Sequence, residues 1–199
     1  MLVDQYLRQV SAAVDALDRE QIHRVAELMM LVWRTGATVY TLGNGGSAAL
    51  ASHMACDLAK NTSPDLGTGP GQKGGQRLRV MALTDNNALM SALGNDIDYA
   101  DIFVEQLKSV LGPADVVLGI SGSGTSPNVL RALEYARTVG ATTVGFTGTR
   151  ASASPMLELS DVAVRVPVEV MEQIEDLHVV VNHVLAVHLR ALIAEAVDG

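Results

Sequence analysis

Ile120-Ser121-Gly122-Ser123-Gly124-Thr125-Ser126-Pro127 is the stretch on which the reading of this chain turns. It follows an apolar run of strand length, 115–120, and precedes residues 128–139, whose apolar positions recur at helical spacing. A strand therefore passes into a helix through a turn of small residues and hydroxyls. Gly122 and Gly124 admit backbone angles closed to other residues and let a ligand approach the main chain. The first N–H groups of the following helix have no intrahelical partner, and its dipole favours negative charge there. With three serines and a threonine adding donors, the turn predicts a phosphate cradle built without a lysine. A plainer reading makes it a serine-rich turn in which Ser126 caps the helix and Pro127 takes its first position.

Working outward, the same construction recurs. A β-rich run, 37–42, leads into Gly43-Asn44-Gly45-Gly46-Ser47, which lacks both the Walker lysine and the dinucleotide glycine spacing. The helix it opens, 47–60, carries His53 and Asp57. Further strands are expected at 78–83, 142–146 and 161–166, and helices at 88–93 (capped by 84–87), 99–110 and 170–197. Gly94-Asn95-Asp96 reads as a turn, and Thr147-Gly148-Thr149 as another strand-end turn. Residues 2–34 hold two helices joined near Asp18. The second contains the apolar run 29–33, which predicts a core helix or an oligomer interface. Residues 61–76, rich in Gly and Pro, read as a loop. Strands alternating with helices predict a parallel sheet with helices on both faces, where ligands bind beyond the carboxyl ends of the strands. The turns at Gly43, Ser121 and Thr147 all fall at such ends. No composition break divides the chain, so one domain spanning 1–199 is expected.

Composition narrows the partners. Fourteen basic against twenty-two acidic residues give a net charge of −8, which argues against nucleic-acid binding but not against a small phosphorylated ligand. The single cysteine, Cys56, excludes an internal disulfide and suits a reducing, cytoplasmic setting. The reading finds no membrane span and no secretory signal.

Two helices carry groups with chemistry. His53 and Asp57, four apart, share a helix face, and Cys56 is close enough in sequence to join them. On the last helix Glu175 and His178 are three apart. Glu175 and His183 are eight apart, roughly 80° around the axis. His183 lies in the apolar run 179–184, which predicts partial burial. Two helical pairs of His with carboxylate, His53 with Asp57 and Glu175 with His178 or His183, could assemble a four-ligand site of N and O donors, suited to zinc or another divalent ion. They could equally run acid–base chemistry, a carboxylate taking a proton from carbon beside a carbonyl while a histidine serves oxygen. The plain alternatives are an ion pair for His53 and Asp57 and a small buried residue for Cys56. His23 and His188 read as ordinary, partly exposed histidines.

These motifs resemble a known family. Gly43-Asn44-Gly45-Gly46-Ser47-Ala48-Ala49 followed by His53 is similar to the opening signature of phosphoheptose isomerases, a branch of the sugar isomerase (SIS) domain family. So are Gly94-Asn95-Asp96, the run from Ile120 through Leu130, and Ile174 through His183. The resemblance covers nearly the whole chain in order. It implies a five-stranded parallel sheet in a three-layer αβα sandwich, and a homotetramer with sites at subunit boundaries, packed in part through residues 1–35. It implies conversion of sedoheptulose 7-phosphate to a heptose 7-phosphate through a cis-enediol.

Carried over residue by residue, Ser121, Ser123 and Ser126 hold phosphate, and Gly122 lies among them. Asn44, Gly45, Gly46, Ser47, Asn95 and Asp96 line the sugar. His53 and His183 are metal ligands with Asp57 and Glu175, zinc being the implied ion, and Asp57, Glu175 and His183 are the catalytic candidates. This chain departs from the pattern at three places. The family's catalytic glutamate falls on Asp57, its glutamine ligand on Glu175, and its threonine between the cradle serines on Gly122. Four ligands with two carboxylates would give a doubly negative site. Two rivals follow: the same chemistry on another phosphosugar, and a non-catalytic SIS protein binding a phosphosugar or a replication initiator. Retention of His183 separates this chain from the latter.

Overall fold

The computed structural model describes residues 2–63 and 76–198. Five strands form one parallel sheet in the order β2-β1-β3-β4-β5. They are β1 (Thr38–Gly43), β2 (Arg79–Ala82), β3 (Val116–Ile120), β4 (Thr142–Thr147) and β5 (Val162–Arg165). The helices are α1 (Val3–Asp15), α2 (Arg19–Thr35), α3 (Gly46–Asn61), α4 (Asn87–Asp96), α5 (Ile102–Leu107), α6 (Pro127–Val139), α7 (Ser154–Leu159) and α8 (Met171–Asp198). The expected three-layer αβα sandwich is what forms.

Side-chain alternation along the strands sorts the core onto two faces. Val39, Leu118, Phe146 and Val164 pack with α2, α3 and α8 on one face. Tyr40, Leu42 and Val117 pack with α5, α6 and Met156 of α7 on the other. The three central strands β1, β3 and β4 are buried on both sides, while the edge strands β2 and β5 are partly exposed.

From β1 the chain crosses through α3 to β2 at one edge. It then returns through α4 and α5 to β3 on the opposite side of β1. The winding direction reverses between β1 and β3, so the turns leaving those strands part there and open a crevice. Gly43 pairs with Ile120, and Ile120 with Phe146, so the strand ends stand level and form one rim.

Several expectations need correction. Gly94, Asn95 and Asp96 are not a turn but the last residues of α4, with the Ile97 N–H still bonded to the Leu93 carbonyl at 3.0 Å. The expected helix 99–110 is a 3-10 turn, Tyr99–Asp101, followed by the short α5. Helix α7, between β4 and β5, was not foreseen. The loop expected at 61–76 falls mostly outside the described residues.

α2 is a core helix, burying Val25, Ala26, Met29 and Trp33, while α1 buries only Ala13. α1 is tied to α8 by polar contacts. The Tyr6 hydroxyl donates to Asp176 at 2.6 Å, and Gln173 Nε2 donates to Gln9 at 3.0 Å.

By length and composition α8 is apolar enough to cross a bilayer, against the expectation that no such segment exists. Its buried stripe, Ile174, Leu177, Val181, Leu185, Leu189 and Ile193, is instead spent on the core. Gln173, His178 and Asn182 are buried among those residues.

Candidate active site

The crevice is floored by the turn after β3. Ser121 Oγ lies 3.0 Å from Ser126 Oγ and 3.4 Å from Ser123 Oγ, so three hydroxyls converge at the N-terminus of α6. The Gly124 N–H donates to Ser121 Oγ at 3.2 Å, and the Thr125 N–H to Ser123 Oγ at 3.3 Å. Gly124 holds φ +68°, and a Cβ there would stand 2.5 Å from Ala153 Cα, so only glycine makes this turn.

Ser126 sits at the N-cap of α6 with Pro127 following, but its hydroxyl makes no cap bond and faces Ser121 instead. That corrects the capping expectation. The hydroxyl is committed to the cradle. In the first turn Pro127 carries no N–H, the Val129 N–H is held by Asn128 Oδ1 at 3.0 Å and the Leu130 N–H by the Ser126 carbonyl, which leaves the Asn128 N–H to face an anion.

The turn after β1 is locked to the same floor. Asn44 and the buried Asn128 exchange reciprocal amide bonds of 2.9 and 2.8 Å. Tyr99 donates its hydroxyl to Asn44 Oδ1 at 3.1 Å. Tyr99 was not foreseen as a site residue; its only sequence signal is its place just after Gly94-Asn95-Asp96. Asn95 and Asp96 lie at the end of α4, beside Tyr99, and bond each other at 2.8 Å. Ser47 is buried in the first turn of α3.

The start of α8 closes one side. A Cβ on Gly46 would stand 2.6 Å from Glu175 Oε1, and one on Gly122 would stand 2.5 Å from Met171 Sδ. Glu175 is thus pressed onto the N-terminus of α3, where the helix dipole offsets its charge.

Further along the groove between α3 and α8 lies a second cluster. His53 Nε2 is 3.1 Å from Asp57 Oδ2, and His183 Nε2 is 3.7 Å from the same oxygen. The two imidazoles meet edge to face with centroids 5.1 Å apart. Donor atoms of His53, Asp57 and His183 lie within 4.8 Å of one another. Two ring nitrogens and a carboxylate oxygen are a donor set for a divalent metal ion, and three protein ligands leave a position open to substrate.

Asp57 is further held by two amides that were not anticipated. Asn61 Nδ2 donates to Oδ1 at 3.2 Å, and Asn182 Nδ2 donates to Oδ2 at 3.1 Å. The signal for Asn182 was an amide standing within the apolar run 179–184.

Three expectations about this cluster change. Within the chain Glu175 does not join the other three ligands, because eight residues of helix separate it axially from His183 by roughly 12 Å. The cluster therefore holds one carboxylate, not two. His183 is exposed despite its apolar neighbours, its side chain 54% accessible. Cys56 is exposed rather than buried and takes no part.

His178, between Glu175 and His183 in sequence, faces inward instead. It is 1% exposed, its Nε2 is 3.4 Å from the Thr147 carbonyl, and its ring lies against Phe146. Burial pushes its pKa down to about 4, so it is a neutral strut between β4 and α8.

Known proteins resemble this chain in sequence and in fold. The SIS domain family matches residues 5–148. The phosphoheptose isomerase of Solidesulfovibrio magneticus is 34% identical over 199 residues, covering 98% of this chain and 92% of the relative. That of Aquifex aeolicus is 33% identical over 187 residues, covering 94% and 92%. Among solved structures, phosphoheptose isomerase GmhA from Neisseria gonorrhoeae superimposes with a TM-score of 0.82. Its identity is 26%, and 95% of this chain and 97% of that one are covered.

Proposed function

The chain belongs to the SIS domain family, and from that premise we propose that it is a phosphoheptose isomerase, interconverting sedoheptulose 7-phosphate and D-glycero-D-manno-heptose 7-phosphate. The observation that carries the reading is the pairing of a serine cradle at the β1/β3 crevice with an Asp–His–His cluster in the groove beside it. A sugar phosphate offers both things such a site recognises, an anion at one end and an acidic C–H beside a carbonyl at the other.

Ser121, Ser123, Ser126 and the Asn128 N–H at the start of α6 fix the phosphate. Asn44, Gly45, Gly46 and Ser47 line the chain of hydroxyls, with Asn95 and Asp96 at the opposite lip. Asp57 removes the proton from the carbon next to the carbonyl, while His183 delivers one to the carbonyl oxygen, giving the cis-enediol. His183 then takes the proton from the neighbouring hydroxyl, and Asp57 returns its own to the former carbonyl carbon. Glu175, anchored at α3, orients the sugar.

His53, Asp57 and His183 would hold a zinc ion, with Glu175 completing the set only if it arrives from a neighbouring subunit. A bound ion would polarise the carbonyl.

We read residues 1–199 as a single domain that assembles as a homotetramer. The exposed valines of α8 and the thinly buried α1 support assembly. A net charge of −8 and a single, exposed cysteine support a cytoplasmic setting and a small phosphorylated ligand rather than nucleic acid.

The test is deuterium exchange at the carbon next to the carbonyl, followed by NMR over a panel of ketose phosphates. Sedoheptulose 7-phosphate should exchange fastest, and Asp57→Asn should abolish exchange without unfolding the protein. An Asp57→Asn variant with parental turnover would refute the assignment of the base. Gly122 in the cradle and the short Asp57 favour one rival, the same chemistry on a different phosphosugar. Faster exchange of a hexose or amino-sugar phosphate would establish that rival.

A further inference from the structure

Asn182 is fully buried, yet it is an amide in the run Val179-Val180-Val181-Asn182. Its Nδ2 donates to Asp57 Oδ2 at 3.1 Å, and its Oδ1 has no partner, one of two such buried side-chain atoms among the described residues. A buried acceptor left unpaired costs stability, and an aliphatic residue in this place would leave no such atom. Packing therefore does not explain Asn182. Asp57 does.

Asp57 stands where the phosphoheptose isomerase pattern carries glutamate, so its carboxylate falls short by one carbon–carbon bond, roughly 1.5 Å. It is suspended between two amides from different helices, Asn61 of α3 on Oδ1 and Asn182 of α8 on Oδ2. The oxygen that Asn182 holds is the one that meets His53 at 3.1 Å and faces His183 at 3.7 Å. Only the NH₂ side of the amide can face a carboxylate; turned over, two acceptors would collide. The orphaned Oδ1 is the consequence of that fixed orientation.

We propose that Asn182 is a positioning residue. It draws the shortened Asp57 side chain across the groove between α3 and α8, to the place from which it works with His53 and His183, and so substitutes for the missing methylene. The catalytic side of this claim rests on the isomerase reading; the metal-binding side rests on the geometry of the cluster alone.

The experiment uses the full-length protein and cobalt(II) as the probe, titrated by its visible absorption, alongside kcat and KM for sedoheptulose 7-phosphate. Asn182→Leu removes the orphan acceptor together with the bond to Asp57, two effects of opposite sign, so its melting curve serves only to show that the variant folds. The variant should lose about 10- to 100-fold in cobalt affinity and in kcat, with KM held because the phosphate grip is untouched. Adding Asp57→Glu to Asn182→Leu should recover about tenfold or more of that loss, since the longer side chain reaches without help.

A variant with parental cobalt affinity and kcat would overturn the proposal, as would a loss that Asp57→Glu fails to relieve. If Asn182→Leu does not fold, Asn182→Ala is read in the same way. If the parent turns over no ketose phosphate, the isomerase reading falls, and the cobalt titrations of the single and double variants still decide whether Asn182 positions Asp57.

Discussion

An imidazole held where its charged form cannot be solvated makes stability depend on pH. His178 has its pKa lowered from the ordinary 6.5 to about 4 by burial. Above 6.5 both folded and unfolded chains carry it neutral, so its cost is nil. As pH falls below 6.5 the unfolded chain takes up a proton that the folded chain refuses. Stability then drops until pH 4, by about 3 kcal/mol in all. Urea unfolding at pH 7, 5.5 and 4 should show this loss, and His178→Leu should flatten it relative to the parent.

A second residue test concerns Gly122, where the family pattern has threonine. A Cβ there would meet Met171 Sδ at 2.5 Å, the outer part of a flexible side chain that can swing aside, so Gly122→Thr should destabilise by no more than about 1 kcal/mol. Met171→Ala should relieve most of that penalty in thermal melts of the double variant. Such close approaches were not legible in the sequence. Glycine at 122 could be read as permission for a ligand, whereas the space is filled by Met171.

At the scale of elements, the sequence carried the alternation of strands and helices and the three rim turns, because apolar period and glycine placement are local signals. What it hid was length and axial position. Gly94-Asn95-Asp96 is built of turn residues, yet α4 runs through them to Asp96. α7 has six residues, too few to show a period. Glu175 and His183 look adjacent around the helix axis, but the rise of the helix parts them, and angular reasoning alone discards that coordinate.

The turn before α6 offers a test that separates capping from ligand binding. Ser126 makes no cap bond, so Ser126→Ala should cost less than the ~1 kcal/mol of a lost cap. It should nevertheless weaken the thermal protection given by millimolar phosphate, because its hydroxyl faces Ser121 at 3.0 Å. A large drop in melting temperature with phosphate protection intact would return Ser126 to a purely structural role.

For the whole molecule, the groove between α1–α2 and α8 is an apolar face with no cover from within the described residues. It is lined by Val14, Leu17, Val180, Val184 and Val187, with His183 at its edge. Val184 and Val187 are 46% and 63% exposed, on a helix whose opposite face is packed into the core. His183, beside them, is more than half accessible at the side chain, poor shelter for the proton transfers proposed for it. A second copy laid along α8 would bury the valines, shield His183, and give Glu175 a route to a neighbour's cluster.

Assembly and turnover should then be one equilibrium. Sedimentation at micromolar concentration should show an oligomer. Val187→Asp, one turn beyond His183 and in contact with no substrate group, should shift it toward monomer and lower specific activity in the same proportion. Raising the variant's concentration should restore both together. A stable monomer with undiminished turnover would mean that the chain completes its site alone.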